Sequence, residues 1–435
     1  MKNIVTTLSI MLFYTSFVNS QVGWYQQYSG TSAVLRDVYF LDVNSGFICG
    51  YNGIILKTTN SGTNWSSIYF GSNQYPNSIY FANQSTGFLI SAFGSSPIKI
   101  IKTTDGGSSW DSSGTPKAFC MFFLNPSTGW TGGTRLDGDG VYRTTDNGIS
   151  WAKVSNPPTS YIYSINFINY NTGFIAGQYE QPINPENSYY SSRIYKTVNS
   201  GVTWSNVYSG PLVYSGGNSV YKIQFANEYV GYALGRQGDP EQAYLYKTTN
   251  SGNNWTLISI LSNMNFLDFV NELTGWIGGY QGTVLYTTDG GLSWNQQASG
   301  TSQNLLEIHM VNNYTGWIVG TSGTILATTN GGVTYIYPIN SKMPISFNLY
   351  QNYPNPFNPS TKIKFSLPKG SYAKLFVYDI LGREVAKLVN EQLKPGSYEV
   401  EWDGSNNPSG VYFYRLTTED ASSPLSFTKK MILVK

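Results

Sequence analysis

The chain has 435 residues, of which 11% are charged and 16% aromatic, and its formal net charge is +2. So small a charge excludes the long-range field that would recruit nucleic acid or an acidic membrane surface. The composition also excludes the disorder signature of low hydrophobicity and high net charge, and its 45 glycines are typical of short strands joined by tight turns.

Residues 1–20 have the pattern of a secretory signal. Lys2 supplies the positive start, residues 4–18 are apolar, and small or moderate side chains precede Gln21. A membrane anchor is the alternative, but the stretch is short for a span and no charge follows it. No cysteine follows it either, so we expect no lipid anchor. The pattern predicts an exported mature protein without a transmembrane segment.

A nine-residue phrase is repeated along the chain. One copy, Lys102–Trp110, reads Lys-Thr-Thr-Asp-Gly-Gly-Ser-Ser-Trp. The seven copies begin at Lys57, Lys102, Arg143, Lys196, Lys247, Tyr286 and Ala327. Consecutive copies start 39 to 53 residues apart, which is the period of one β-propeller blade. The repeat therefore predicts an array of similar β-units.

A second pattern precedes every copy of the phrase: an apolar run, then a glycine followed by an aromatic residue. The seven pairs are Gly46-Phe47, Gly87-Phe88, Gly129-Trp130, Gly173-Phe174, Gly231-Tyr232, Gly275-Trp276 and Gly316-Trp317. Together the two patterns predict four short antiparallel strands in each unit, with the phrase forming the turn between the third and fourth strands.

The chemistry of the phrase favours a structural turn. An Asn or Asp at its fourth position can accept hydrogen bonds from backbone amides of the same turn, and the glycine at its sixth position supplies a positive φ. The fourth-position residues are Asn60, Asp105, Asp146, Asn199, Asn250, Asp289 and Asn330. We predict a structural role for all seven.

The two ends of the array complement each other. Residues 24–32 (Trp-Tyr-Gln-Gln-Tyr-Ser-Gly-Thr-Ser) nearly duplicate residues 294–302, which follow the sixth phrase, whereas the seventh phrase ends in Tyr335 instead of Trp. The first segment thus resembles the last strand of a blade. Pairing it with the seventh unit would close a ring and remove both free edges. We predict a seven-bladed propeller over residues 21–336, with an open solenoid as the alternative.

The phrases resemble Asp-box (BNR) repeats, with the pattern Ser/Thr-x-Asp-x-Gly-x-x-Trp filled by Thr103, Asp105, Gly107 and Trp110. With the Gly-aromatic pairs, the array looks most like propellers of the photosystem II stability and assembly factor family. Four copies carry Asn in place of Asp. The resemblance implies that the boxes lie in the third hairpin of each blade, on the face away from the active site of the sialidases that share them.

Long segments between the second and third strands of blades three to five are the functional asymmetry of the array. They cover residues 134–140, 178–192 and 236–243, and the loop type places them on one rim opposite the boxes. A shallow ligand-binding rim there would contain Arg135, Asp137, Asp139, Tyr179, Glu180, Tyr189, Tyr190, Arg236, Asp239, Glu241 and Tyr244. Ordinary loop variation is the structural alternative, and Asp137 and Asp139 are too few carboxylates to define a calcium site.

Catalysis finds little support in the sequence. A sialidase needs three arginines around its substrate, and the propeller holds Arg36, Arg135, Arg143, Arg193 and Arg236 without an Arg-Ile-Pro motif. A glycosidase using loop carboxylates of blades three to five, spaced about 5–10 Å apart, is the enzymatic alternative. His309 is interpreted as a packed strand histidine.

No metal or cofactor site is predicted. Cys49 and Cys120 lie in apolar runs and, with His309, make no metal cluster. We interpret the two cysteines as buried thiols, although a disulfide between them stays open from sequence alone.

The composition changes after residue 336. Residues 337–348 are predicted to be a linker, and residues 349–435 show alternating strands. Ile363, Phe365 and Leu367 share one face of a strand, and Tyr398, Val400 and Trp402 share another. Six or seven such strands predict an Ig-like β-sandwich.

This module closely resembles the type A C-terminal sorting domain of the type IX secretion system. The matching segments are residues 353–361 (Tyr-Pro-Asn-Pro-Phe-Asn-Pro-Ser-Thr), 377–385, 410–416 and 429–435. The resemblance implies export across the outer membrane through the type IX machinery, with the module commonly cleaved on release or surface attachment. A plain adhesion module is the alternative.

The sequence thus predicts an all-β, secreted or surface-exposed propeller that binds a protein or glycan. We expect it to be a monomer and to need no cofactor. The glycosidase described above is the alternative function. Activity on a photosynthetic complex would rest on analogy alone, and the export signals count against it.

Overall fold

The computed structural model describes residues 23–69, 74–93, 99–111, 116–133, 140–184, 187–214, 218–237, 242–332, 337–340, 344–393, 395–404, 407–419 and 425–435. The predicted signal, residues 1–20, lies outside this part of the chain. The described part of the chain folds into two compact units, Gly23–Val333 and Thr334–Lys435. No helix within the described ranges has the length and apolarity needed to cross a membrane.

The first unit consists of β-strands, with two 3-10 turns at Tyr280–Gly282 and Thr321–Gly323. Its strands are β1 Tyr25–Gln27, β2 Leu35–Phe40, β3 Gly46–Gly50, β4 Ile54–Thr58, β5 Ser66–Tyr69, β6 Gln74–Phe81, β7 Gly87–Phe93, β8 Lys99–Thr103, β9 Cys120–Phe123, β10 Gly129–Gly132, β11 Val141–Thr144, β12 Ala152–Ser155, β13 Tyr161–Phe167, β14 Gly173–Asn184, β15 Asn187–Thr197, β16 Ser205–Ser209, β17 Val213–Tyr214, β18 Ser219–Phe225, β19 Gly231–Gln237, β20 Gln242–Thr248, β21 Thr256–Ser262, β22 Met264–Phe269, β23 Gly275–Gly279, β24 Val284–Thr287, β25 Asn295–Gln297, β26 Leu305–Met310, β27 Gly316–Gly320 and β28 Ile325–Thr328.

These strands form seven antiparallel sheets, one for each repeat, and confirm the seven-bladed propeller. Blades one, three and five to seven have four strands, and blade four has a fifth, β17, paired with β15. The first strands of most neighbouring blades contact one another around the inside. Blade two has three full strands, and beside β8 the described residues form isolated bridges from Lys102 to Asp111 and from Lys99 to Lys117.

The ring closes as the duplicated N-terminal segment predicts. Strand β1 is the outermost strand of blade seven and pairs antiparallel with β28, Tyr25 opposite Ala327. The Trp24 indole N–H donates to Gln297 Oε1 at 2.8 Å, and Trp24 lies directly against Gly332 of the seventh phrase. Trp24 therefore takes the place of the tryptophan that the seventh phrase lacks.

The Gly-aromatic pairs are explained by packing between blades. A Cβ on Gly87 would lie 2.6 Å from the ring of Phe81, the last residue of the preceding strand, so only glycine leaves room for that ring. Phe81 is in turn stacked on Phe47 of the previous blade, with ring centroids 3.5 Å apart. The same arrangement closes the ring, where Trp317 of blade seven stacks on Phe40 of blade one at 3.4 Å.

The second unit is a sandwich of two four-stranded antiparallel sheets, as predicted. Its strands are β29 Tyr337–Asn340, β30 Asn348–Leu349, β31 Ser360–Leu367, β32 Ser371–Tyr378, β33 Glu384–Leu393, β34 Gly396–Asp403, β35 Gly410–Glu419 and β36 Leu425–Leu433. The orders are β29-β34-β31-β30 and β33-β32-β35-β36. The alternating apolar residues predicted for two of these strands are all buried in the core of the sandwich: Ile363, Phe365, Leu367, Tyr398, Val400 and Trp402.

The predicted linker differs from the structure over part of its length. Residues 337–340 form β29, which pairs with β34 at the edge of the sandwich. The prolines and polar residues of this segment gave a turn pattern, but an edge strand tolerates proline because one side of its backbone needs no partner.

Candidate functional site

The seven Asp-box phrases form the hairpins between the third and fourth strands, and their geometry repeats closely. In each, the second-position threonine hydroxyl donates to the fourth-position Asn or Asp and accepts the N–H of the sixth-position glycine. In the sixth copy, Thr287 Oγ1 is 2.8 Å from Asp289 Oδ1 and 3.0 Å from the Gly291 nitrogen. The fifth residue also has a positive φ, as in Asn147 (60°), which the mixture of Ser, Asn and Gly at this position hid from sequence analysis.

The three aspartate copies share a hydrogen bond from a serine hydroxyl four residues on. Asp105 accepts hydrogen bonds from the hydroxyl of Ser109 and from its backbone N–H, and these lower the pKa of Asp105 to about 2. Asp146 and Asp289 have the same serine partner four residues on and the same low pKa. These carboxylates are occupied by their own turns, which favours a structural role over a catalytic one.

Neighbouring blades are joined through the boxes. In six of the seven boxes the fifth-position carbonyl accepts a hydrogen bond from the preceding blade, for example from Lys102 Nζ to Asn147 O at 2.7 Å. In blades three and six the indole of the Gly-aromatic pair does this instead, as Trp130 Nε1 does to Ser200 O at 3.1 Å. In blade seven the donor is Gln27 Nε2, and the Trp317 indole N–H has no hydrogen-bond partner among the described residues. The phrase begins with Lys after Phe or Tyr, and with Arg, Tyr or Ala after Trp.

The first strands carry a polar cluster at the inside of the ring, which sequence analysis missed. Lys222 of blade five forms a 2.7 Å ion pair with Glu307 of blade seven, across the intervening blade. Asp37 of blade one accepts the Ile79 N–H at 2.8 Å. Burial, followed by the nearby Glu307 charge, raises the pKa of Asp37 to about 6. Aligning the first strands would have put these three side chains at one position.

His309 packs in this inner region as predicted from its strand. Its ring contacts Tyr39 edge-on, with centroids 5.1 Å apart, and burial lowers the pKa of His309 to about 4. The described residues contain no group of three or more acidic, His or Cys side chains that could hold a metal ion. Cys49 and Cys120 are buried free thiols in blades one and three, which settles the open disulfide question.

The face opposite the boxes is uneven because blade four extends beyond the ring. Strands β14 and β15 continue as a hairpin to Asn184 and Asn187, and β17 pairs with β15 at Tyr189 and Tyr190. We call residues 179–184, 187–190 and 212–214 the blade-four extension. It exposes four large apolar side chains: Ile183, Tyr189, Leu212 and Tyr214.

A polar and aromatic group lies at the base of the blade-four extension. Glu180 Oε1 accepts hydrogen bonds from the hydroxyls of Ser188 at 2.8 Å and Tyr190 at 3.4 Å. The Arg193 guanidinium lies over the Tyr179 ring, 5.3 Å from its centroid. Burial and the neighbouring Tyr161, Tyr190 and Glu180 raise the pKa of Tyr163 to about 12, so Tyr163 belongs to the same group.

The predicted rim residues are thus only partly brought together. Tyr179, Glu180, Tyr189 and Tyr190 share the blade-four extension. In blade five, Arg236 lies over Tyr221 and binds Asn265 at 2.7 Å, and Tyr244 donates to Gln242. The remaining predicted residues lie outside the described part of the chain: Arg135, Asp137, Asp139, Asp239 and Glu241. Sequence analysis missed Ile183, Leu212 and Tyr214, which carry no motif.

Two family comparisons match the chain. The sequence model described as Photosynthesis system II assembly factor YCF48 matches residues 17–114 and 247–349. That described as Secretion system C-terminal sorting domain matches residues 351–434. No curated protein sequence matches significantly.

Solved structures support the fold. "YCF48 bound to D1 peptide" is 20% identical with a TM-score of 0.52, covering 71% of this chain and 97% of that one. "YCF48 from Cyanidioschyzon merolae" is 18% identical with a TM-score of 0.51, covering 70% and 98%. The GH74 xyloglucanase from Xanthomonas campestris is 12% identical with a TM-score of 0.51, covering 79% of this chain and 59% of that one. These identities establish a shared propeller fold and nothing finer.

The sorting-domain match implies secretion to the cell surface or beyond. The chain is a seven-bladed β-propeller similar to the YCF48 photosystem II assembly factors, followed by a β-sandwich that matches the secretion-system C-terminal sorting domain.

Proposed function

We propose that the protein is a secreted or cell-surface binding module that contacts a protein or glycan partner through the blade-four extension. The observation that carries this proposal is the group of four exposed large apolar residues on an extension that ring closure does not require. Exposed aromatic and aliphatic side chains on a rigid sheet are typical anchors of binding surfaces. The sorting domain supports a site of action outside the cell.

Peptide binding by a similar propeller gives this proposal a precedent in the fold. One YCF48 structure is described as bound to a D1 peptide. A glycan partner is the other candidate, favoured by the parallel Tyr161 and Tyr163 rings, whose centroids are 6.0 Å apart with planes at 4°. Aromatic faces of this kind stack on apolar faces of other molecules.

A glycosidase is the competing function. Its support is the propeller fold shared with GH74 enzymes. The described carboxylate on this face, Glu180, is engaged by Ser188 and Tyr190. A reducing-sugar assay on xyloglucan and other polysaccharides tests this function, and sugar release that is lost in Asp239→Asn with Glu241→Gln would establish it against pure binding.

The binding proposal is tested on the full chain with a triple variant, Ile183→Ser, Tyr189→Ser and Leu212→Ser. Binding is measured on glycan arrays, and by photo-crosslinking on intact cells from position 214, which is exposed on the same extension and unchanged in the variant. We expect the triple variant to bind its partner at least about tenfold more weakly, because apolar anchors dominate the binding energy of such interfaces. Ile149→Ser, at an apolar residue on the box face that is even more exposed than these three, is the control. Equal binding by both variants would contradict the proposal.

A further inference from the structure

We propose that the hairpin tip between β32 and β33, residues 379–383, is the element of the sorting domain that the export machinery binds. The partner would offer an apolar recess for Ile380 and Leu381. This inference rests on the sorting-domain match and is independent of what the propeller binds.

The tip is held in one conformation by its own hydrogen bonds. The Asp379 carboxylate accepts the N–H groups of Leu381 at 2.9 Å and Arg383 at 3.0 Å, and it pairs with the Arg383 side chain at 2.6 Å. Gly382 has φ +76° and donates its N–H to the Asp379 carbonyl. Asp379, Gly382 and Arg383 are therefore needed for the shape of the turn.

The two residues between these positions have no structural task in the described chain. Ile380 is 70% and Leu381 72% exposed, and neither belongs to the sandwich core, whereas Val377 at the end of β32 is fully buried. Hairpin tips normally carry polar residues or glycine. Two adjacent aliphatic side chains on a rigid, water-exposed turn form a pre-organised anchor, which binds with little loss of conformational entropy.

The export machinery is the occupant that the chain itself indicates. The tip lies inside the matched sorting domain, residues 351–434, and transfer by that machinery is the step that the domain implies. A second copy of this chain is the competing occupant. It would make the protein an oligomer that dissociates when the tip is changed.

The test uses the full chain in a host that has the type IX system. In the variant Ile380→Ser with Leu381→Ser, we expect the exported fraction to fall by at least about tenfold, with folded protein retained in the periplasm. Ile380→Leu with Leu381→Met, which keeps the anchor apolar, should be exported normally. Ile149→Ser with Leu292→Ser, two exposed apolar residues of the propeller, is the matched control and should also be exported.

Three results would overturn the proposal: normal export of the serine variant, failed export of the Leu/Met variant while it stays folded, or conversion of an oligomer to a monomer by the serine changes. Thermal unfolding of the purified variants checks that they fold. If the double serine variant melts lower than the wild type, the single variants Ile380→Thr and Leu381→Thr replace it. Normal export of both of these would then refute the proposal.

Discussion

The two ends of the propeller strands differ in how they use the repeat. On the box face, seven turns share one pattern of hydrogen bonds, and six of them also accept a hydrogen bond from Lys, Trp or Gln of the preceding blade. On the opposite face, blades one, six and seven have short turns, while blade four grows a three-stranded extension. The comparison indicates that uniform chemistry maintains the ring at one end, so that the other end can vary.

The largest effect is expected at the box of blade seven, which combines the seventh phrase with Trp24 from the N-terminal segment. Trp24→Ala removes a buried indole that packs on Gly332 and bonds Gln297. Loss of a large buried aromatic costs about 3–5 kcal/mol, and here it also weakens ring closure. Denaturant unfolding measures this. Tyr28→Ala, at a residue four positions along that is 89% exposed, is the control. A cost for Trp24→Ala below about 1 kcal/mol would show that closure does not depend on it.

The link between the two sequence patterns allows a rescue experiment. Lys102→Met removes the hydrogen bond to Asn147 O, and we expect a cost of about 1–2 kcal/mol because a carbonyl loses its charged donor. Adding Phe88→Trp recreates the combination of blade three, whose indole donates to the next box. Stability should then recover in the double variant.

Two results decide this rescue. Phe88→Trp alone should not stabilise the protein, because Lys102 already occupies the carbonyl. Lys102→Arg, the residue type that begins the third phrase, is the conservative control. A double variant less stable than Lys102→Met would disprove the substitution of one donor by the other.

The features that the sequence predicts correctly are those with a local, repeated signal. The blade count, the turn glycines and the role of Trp24 follow from local chemistry and a repeated pattern. The glycine of each Gly-aromatic pair was recognised, but its reason was not, because Phe81 and its equivalents reach it only after the strands pair. The Lys222–Glu307 ion pair joins blades five and seven and has no local signal. The pairing of β17 with the blade-four hairpin likewise depends on two residues in an irregular segment.

The inner strands differ between blades as well, and their differences predict a pH effect. The unfolded state binds a proton at His309 more strongly, since the folded pKa is about 4 against 6.5, so this residue destabilises the protein as pH falls through that window. Asp37, raised from 3.8 to about 6, has the opposite effect between these values. In His309→Gln, only the stabilising effect of Asp37 on acidification remains of these two.

We therefore expect His309→Gln to gain about 1 kcal/mol relative to the wild type between pH 7 and about pH 5.5. Urea unfolding at several pH values measures the difference. Asn166→Gln, at the matching position of blade four, has no titrating group and should shift stability equally at every pH. A pH-independent difference for His309→Gln would mean that the histidine keeps an ordinary pKa in the folded protein.

The smallest expected effect is on the stability of the uneven face. The described residues at the tip of the blade-four extension, 180–184 and 187–190, contribute to none of the apolar clusters of the ring. The triple variant Ile183→Ser, Tyr189→Ser and Leu212→Ser should therefore change the free energy of unfolding by less than about 0.5 kcal/mol, as exposed substitutions do. A loss above about 1 kcal/mol would place these side chains in the fold's own packing. Exposed apolar residues point to a binding partner only if the ring does not need them for its own stability. A change in the free energy of unfolding close to zero therefore distinguishes a binding surface from part of the hydrophobic core.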